Sequence, residues 1–122
     1  MGDLAADDED VLFELNEDVL ETHWRKVANR GFVASCEIYA EDAVLEFPQS
    51  GRIITGRDNI RKFRAWEPHR KMLSVERVRG RLDFWVTEYT CTRNATALCV
   101  VSIMEFEDGK IRRETEYSIE RI

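Results

Sequence analysis

Only three cysteines, two prolines and six glycines occur in the 122 residues. Cys36, Cys91 and Cys99 form no CxxC pair and leave one thiol over in any disulfide scheme, which argues against a stapled scaffold and for a reducing, cytoplasmic setting. No apolar run approaches the ~20 residues that span a bilayer. The opening residues are acidic where a secretory signal would be basic, so Asn94-Ala95-Thr96 reads as a chance sequon. There is no Cys/His cluster with metal-ligand spacing, no glycine-rich phosphate loop and no nominable Ser-His-Asp set, so neither a metal nor a cofactor is implied. Repeats, low-complexity segments and Pro/Gly/Ser linkers are also missing, which leaves one domain.

Hydrophobic residues make up 43% and charged residues 34%, the balance of a globular chain rather than a disordered one. The net charge of −6 is unevenly spread. Residues 1–10 carry five acids and no base and read as an acidic tail ahead of a domain over 11–122. Residues 52–81 hold ten bases against three acids, an excess that could attract an anion. The stretch contains no nucleic-acid-binding motif and its aromatics sit at core spacing, so a solvated face is expected, with neither nucleic acid nor membrane as partner.

From Val11 to Arg30 the spacing is helical, with Leu12, Leu15, Val19, Leu20, Trp24 and Val27 on one half and Glu14, Asp18, Glu21 and Arg25 on the other. Gly31 punctuates this helix, and Phe32, Val33, Cys36 and Tyr39 predict a shorter one ending near Ala40. Ala43–Phe47 reads as a strand halted by Pro48, whose turn leads into Arg52-Ile53-Ile54. Thr55-Gly56-Arg57-Asp58 has the form of a capping box with Asp in place of Glu. It opens a helix whose buried stripe is Ile60, Phe63 and Trp66, ended by Pro68. Strands are predicted at 72–79, 82–92, 95–106 and 110–120, with Asp108-Gly109 as the clearest hairpin turn. Helices early and strands late predict an α+β fold in which a curved antiparallel sheet wraps the helices.

That order, with Tyr39-Ala40-Glu41-Asp42-Ala43-Val44-Leu45-Glu46-Phe47-Pro48, then Gly51 and Gly56-Arg57-Asp58-Asn59-Ile60-Arg61, resembles the nuclear transport factor 2-like superfamily and within it the SnoaL-like domains. The late Gly109-Lys110-Ile111 strand running to Tyr117 adds to the likeness. The resemblance covers residues 11–120. It implies a cone-shaped fold whose bent sheet and helices enclose a mostly apolar pocket, in a homodimer joined through the sheets. It also implies relatives as different as ketosteroid isomerase, polyketide cyclases, scytalone dehydratase, limonene epoxide hydrolase and non-catalytic members, so the pocket must decide the function. Phe47 stands where the isomerase has its base, His23 where it has its oxyanion-binding Tyr, and Ser102 where it has its protonated Asp. That catalytic set is therefore absent. No counterpart emerges from the sequence for the epoxide hydrolases' Asp-Arg-Asp cluster, and His23 with His69 does not make a dehydratase-like pair.

Asn16 and His23 both fall on the apolar face of the first helix, where an unbonded polar group costs about 1–3 kcal/mol. His23 is either a pocket acid or base or a core histidine bonded to a carbonyl or to Asn16. In the last strand, Arg112, Glu114, Glu116 and Ser118 alternate with Ile111, Arg113, Thr115, Tyr117 and Ile119. Either Glu114 and Glu116 point inward with raised pKa values and pair with His23, or the apolar side faces in and both are solvated. Ser102, polar in the apolar row Leu98, Val100, Met104 and Phe106, either orients a ligand carbonyl or bonds within the sheet. Phe47, Phe63, Trp66, Trp85, Tyr89 and Phe106 either wall a pocket for a ring-shaped ligand or fill the cone.

Three functions remain open. The first is a pocket protein for a small apolar molecule, with His23 and Glu114 or Glu116 moving protons in an isomerase, cyclase or lyase-type step. The second is a non-catalytic ligand-binding or dimerisation module, with Val101 and Ile103 on the associating face. The third is an anion or nucleic-acid binder built on residues 52–81.

Overall fold

The computed structural model describes the backbone of residues 6–67 and 70–121 and the side chains of residues 16–67 and 70–121. Leu12, Leu15, Pro68 and His69, named above, fall outside what is described of side chains. Helix α1 runs over Ala6–Arg30, so it begins within the acidic stretch expected to be a tail. Leu20, Trp24 and Val27 form its buried face. Gly31 ends it in the left-handed region at φ +90°, its N–H donating to the Val27 carbonyl at 2.9 Å, as a helix C-cap requires.

The expected second helix is a shorter 3₁₀ segment, Val33–Ile38, because strand β1 (Tyr39–Phe47) starts four residues before the predicted one. Pro48 does end β1, and a turn through Gly51 at φ +74° brings back β2 (Arg52–Thr55). Helix α2 (Arg57–Trp66) follows, but without the expected capping box: Gly56 is the N-cap and no side chain caps it. Its buried stripe also differs from the expected one. Ile60 and Arg64 are buried, whereas Trp66 is 70% exposed, with the Arg52 guanidinium 5.9 Å from its ring centre.

Strands β3 (Arg70–Arg81), β4 (Phe84–Arg93), β5 (Thr96–Glu107) and β6 (Lys110–Glu120) complete a six-stranded sheet in the order β2-β1-β6-β5-β4-β3. Only the β1–β6 pairing is parallel, so the sheet is mixed. Asp108 and Gly109 both have positive φ in the β5–β6 turn, as the sequence predicted. Asn94 and Ala95 do likewise between β4 and β5. The helices cover one face of the sheet, where Trp85, Tyr89, Cys91, Leu98, Val100, Met104, Phe106 and Ile111 join the core.

One irregularity decides what β6 presents. Phe106 pairs with Ile111 but Glu105 pairs with Arg113, so Arg112 is an extra residue, a β-bulge. Strict alternation would put Ile111 and Glu114 on opposite faces. The bulge turns both inward, leaving Ile111, Glu114 and Glu116 buried together. Among the described residues no helix is long and apolar enough to cross a membrane.

Candidate functional site

Glu114 and Glu116 sit in a charged cluster where the cone was expected to be hollow. Glu114 accepts hydrogen bonds from the Tyr39 hydroxyl at the start of β1 and from Ser102 Oγ on β5. Arg64 reaches the pair from α2, one helical turn beyond buried Ile60. Its Nη2 lies 3.3 Å from Glu116 Oε2 and 3.6 Å from Glu114 Oε1. Arg70, the first residue of β3, donates from Nη2 to Glu116 Oε1 at 2.8 Å and to the Tyr89 hydroxyl. The Phe32 ring lies against both guanidiniums, its centre 4.6 Å from Arg70 Cζ and 5.6 Å from Arg64 Cζ.

The pKa values of the two carboxyls are driven in opposite directions. Burial pushes Glu114 above the usual carboxyl range, and the nearby Glu116 charge adds to the rise, against Arg64 and the hydroxyl hydrogen bonds. Burial would raise Glu116 as well, but Arg70 and Arg64 overcome it and hold that carboxyl at about 2. Burial, then the neighbouring carboxylates, keep Tyr39 and Tyr89 protonated.

Glu67 completes the cluster from the end of α2. Its Oε1 lies 3.6 Å from Arg64 Nη1 and 3.7 Å from Arg70 Nη1, beyond hydrogen-bond length. Both Arg64 Nη1 and Glu67 Oε1 are buried with no hydrogen-bond partner. They border a cleft of about 290 Å³ that also touches Arg30, Phe32, Val33 and Arg70. One guanidinium therefore spans the wall between this cleft and the interior carboxylates.

The SnoaL-like domain model matches residues 20–114, a segment containing α2, most of the sheet, Arg64, Arg70 and Glu114. The chain belongs to the SnoaL-like family. Among solved structures, an NTF-2 like protein of unknown function from Burkholderia xenovorans LB400 is 35% identical, with a TM-score of 0.80 over 89% of this chain and 86% of that one. A putative ketosteroid isomerase from Kribbella flavida is 22% identical, with a TM-score of 0.80 over 90% and 82%. An LEH-like epoxide hydrolase from M. tuberculosis is 17% identical, with a TM-score of 0.71 over 88% and 84%, a likeness of fold. No curated protein matches the sequence.

Within this SnoaL-like domain, the residues singled out from the sequence separate into different places. Glu114, Glu116 and Ser102 meet in the cluster. His23 does not join their hydrogen bonds. It is 5% exposed, edge-on to Trp24 with ring centres 4.6 Å apart, and borders a different cleft of about 400 Å³ with Lys26, Ser35 and Lys110. Burial, reinforced by Arg64, lowers its pKa to about 3, and Nδ1 has no hydrogen-bond partner. Such an imidazole is neutral at ordinary pH and too weak a base to take a substrate proton.

Asn16 is buried and donates from Nδ2 to the Leu82 carbonyl, while its Oδ1 has no partner. Phe47 and Phe63 are half-buried and pack on each other with ring centres 5.3 Å apart. Trp85 is buried, its Nε1 donating to Leu82 O at 2.9 Å. Trp66 lies largely in solvent, and neither it nor Phe47 borders the cleft beside Arg64.

The sequence reading missed Tyr39, Arg64, Glu67 and Arg70 as site residues, and it took Tyr89 for an apolar wall where its hydroxyl in fact joins the charged cluster. Two of the ten bases expected on a solvated face, Arg64 and Arg70, are instead 4% and 8% exposed. The signal for Arg64 was available: positions 60, 63, 64 and 67 form one helical stripe, and Arg64 stands four residues after an obligatory core isoleucine. Arg70 and the hydroxyl of Tyr89 gave no local signal, because their partner Glu116 is far away in sequence.

Proposed function

We propose that this SnoaL-like domain binds a small molecule with an apolar body at the cleft beside Arg64 and carries out a proton-transfer step with Glu114 as the acid. The observation that carries this reading is the pair of buried carboxyls bridged by a single guanidinium, whose surroundings push Glu114 up and hold Glu116 down. Titratable groups whose surroundings push their pKa values apart mark the acid and its charged counterpart. The order carboxyl–guanidinium–carboxylate is also that of the Asp-Arg-Asp cluster of the superfamily's epoxide hydrolases, here with glutamates. A ligand oxygen placed at Arg64 is polarised by the guanidinium. Arg64 borders the cleft through Nη1 while its Nη2 lies 3.6 Å from Glu114 Oε1, so the ligand oxygen and the Glu114 carboxyl share one guanidinium.

The test is turnover of a panel of enones and epoxides, both of which react by protonation at oxygen, by the wild type and by Glu114→Gln. General acid catalysis predicts a loss of about 10²–10⁴-fold in the variant. Equal turnover by the two proteins would remove Glu114 from the chemistry, and no turnover by the wild type would leave a binding module.

A second reading concerns assembly. Ile53, Tyr117 and Ile119 are 58%, 41% and 70% exposed on the sheet face opposite the helices, beside Val101 and Ile103. Such a patch suits association of two copies. Sedimentation of wild type and Ile119→Asp tests this: a dimer lost in the variant supports it, and a monomeric wild type rejects it.

A further inference from the structure

The cleft at Arg64 has a polarity that its shape alone does not require. Arg30, Arg64 and Arg70 contribute three positive charges to its wall, and Glu67 is the carboxylate facing them there. Arg64 Nη1 is a donor with no hydrogen-bond partner, although its side chain is only 3% exposed. Glu67 Oε1, the nearest acceptor, stays beyond hydrogen-bond length of both Arg64 Nη1 and Arg70 Nη1. A buried charged donor left unbonded costs on the order of 1–3 kcal/mol or more, which a ligand acceptor at that position would recover. Behind the wall Glu116 pairs with Arg64 and Arg70, and on the cleft side Glu67 is the one carboxylate set against three arginines. Phe32 and Val33 supply an apolar side to the same cleft.

We infer that the cleft recognises a monocarboxylate with a small planar or apolar body, whose carboxylate takes the place at Arg64 Nη1 that Glu67 approaches but does not fill. The inference rests on the cleft proposed above as the binding site and adds the ligand class. Glu67 then acts as an internal competitor. In the free protein it screens the guanidiniums, and in the complex it yields them to the ligand. The volume, about 290 Å³, suits a ligand of one ring rather than a steroid.

The test is an amide NMR titration at constant ionic strength with benzoate, and with benzamide as its uncharged counterpart. Benzoate should shift the amides of Phe32, Val33 and Ala65 and bind at least about tenfold more tightly than benzamide, the worth of one charge-assisted hydrogen bond. Glu67→Gln, which deletes the competing charge and breaks no hydrogen bond at Oε1, should bind benzoate several-fold more tightly than the wild type. Equal affinity for benzoate and benzamide, shifts confined to other parts of the molecule, or a Glu67→Gln variant that binds benzoate no better would each overturn the assignment. Glu114→Gln separates this inference from the catalytic reading, because recognition lies with the arginines and the proton with Glu114. Benzoate bound normally by a Glu114→Gln protein that has lost turnover supports both. Benzoate binding absent while turnover still depends on Glu114 sinks the carboxylate assignment alone.

Discussion

Replacing His23 with glutamine should flatten the acid limb of the stability curve. The imidazole is buried against Trp24, and its pKa falls from 6.5 to about 3 because burial, and then Arg64, oppose its charge. The unfolded chain binds a proton near pH 6.5, whereas the folded chain refuses one until about pH 3. A group depressed in the folded state adds stability above its unfolded pKa and loses it as pH falls through that value toward the folded one. Below 6.5 the loss approaches 1.36 kcal/mol per pH unit, so from pH 6.5 to 4.5 it amounts to about 2.3 kcal/mol. Urea unfolding of wild type and His23→Gln at pH 6.5, 5.5 and 4.5 measures this directly, since the other titrating groups cancel in the difference. Glutamine costs some packing at every pH, which shifts the variant's curve without tilting it. Parallel curves would refute the reasoning and show that His23 carries a normal pKa.

The two interior glutamates should respond differently to the same change. Glu116→Gln strips the counter-charge from two buried guanidiniums and should cost about 3–5 kcal/mol in chemical denaturation at pH 7. Glu114→Gln replaces a carboxyl that burial pushes toward its neutral form and should cost less than about 1.5 kcal/mol; equal losses would mean both carboxylates are ionised. Gly80→Ala should destabilise by about 1–3 kcal/mol, because an added Cβ would meet the Trp85 ring at 2.3 Å and the Phe84 carbonyl at 2.5 Å. An unchanged midpoint for Gly80→Ala would show that this end of β3 moves freely away from Trp85.

The order of elements was legible because its punctuation is local. Gly31, Pro48, Gly51 and Asp108-Gly109 each act on their own backbone, and the alternation along β4 and β5 states which face is buried. The resemblance at Tyr39–Pro48 and Gly56–Arg61 then supplied the fold, helices packed on one bent sheet, although the periodicity had predicted an antiparallel sheet and β1 pairs with β6 in parallel. The site was legible only in part. Ser102 stood out as a hydroxyl in an apolar row, and it does face the interior, where it meets Glu114. Glu114 and Glu116 were visible as candidates but their direction was not, because alternation alone sets Ile111 against them. Only the bulge at Arg112, a consequence of pairing with β5, reconciles the two. His23 was placed correctly on a buried face, yet burial there neutralises it instead of arming it. The guanidiniums were hidden by composition: a run rich in arginine suggests solvent. Arg64 and Arg70 enter the core only because Glu116, brought from the last strand, compensates their charge.

The central claim is that Glu114 keeps its proton inside the cone at neutral pH while Glu116, on the same guanidinium, does not. Infrared difference spectroscopy of wild type against Glu114→Gln at pH 7 tests it most directly. The account predicts a protonated-carboxyl carbonyl band in the wild type that vanishes in the variant. Loss of only a carboxylate band on substitution would show Glu114 to be ionised and would contradict the proposed acid.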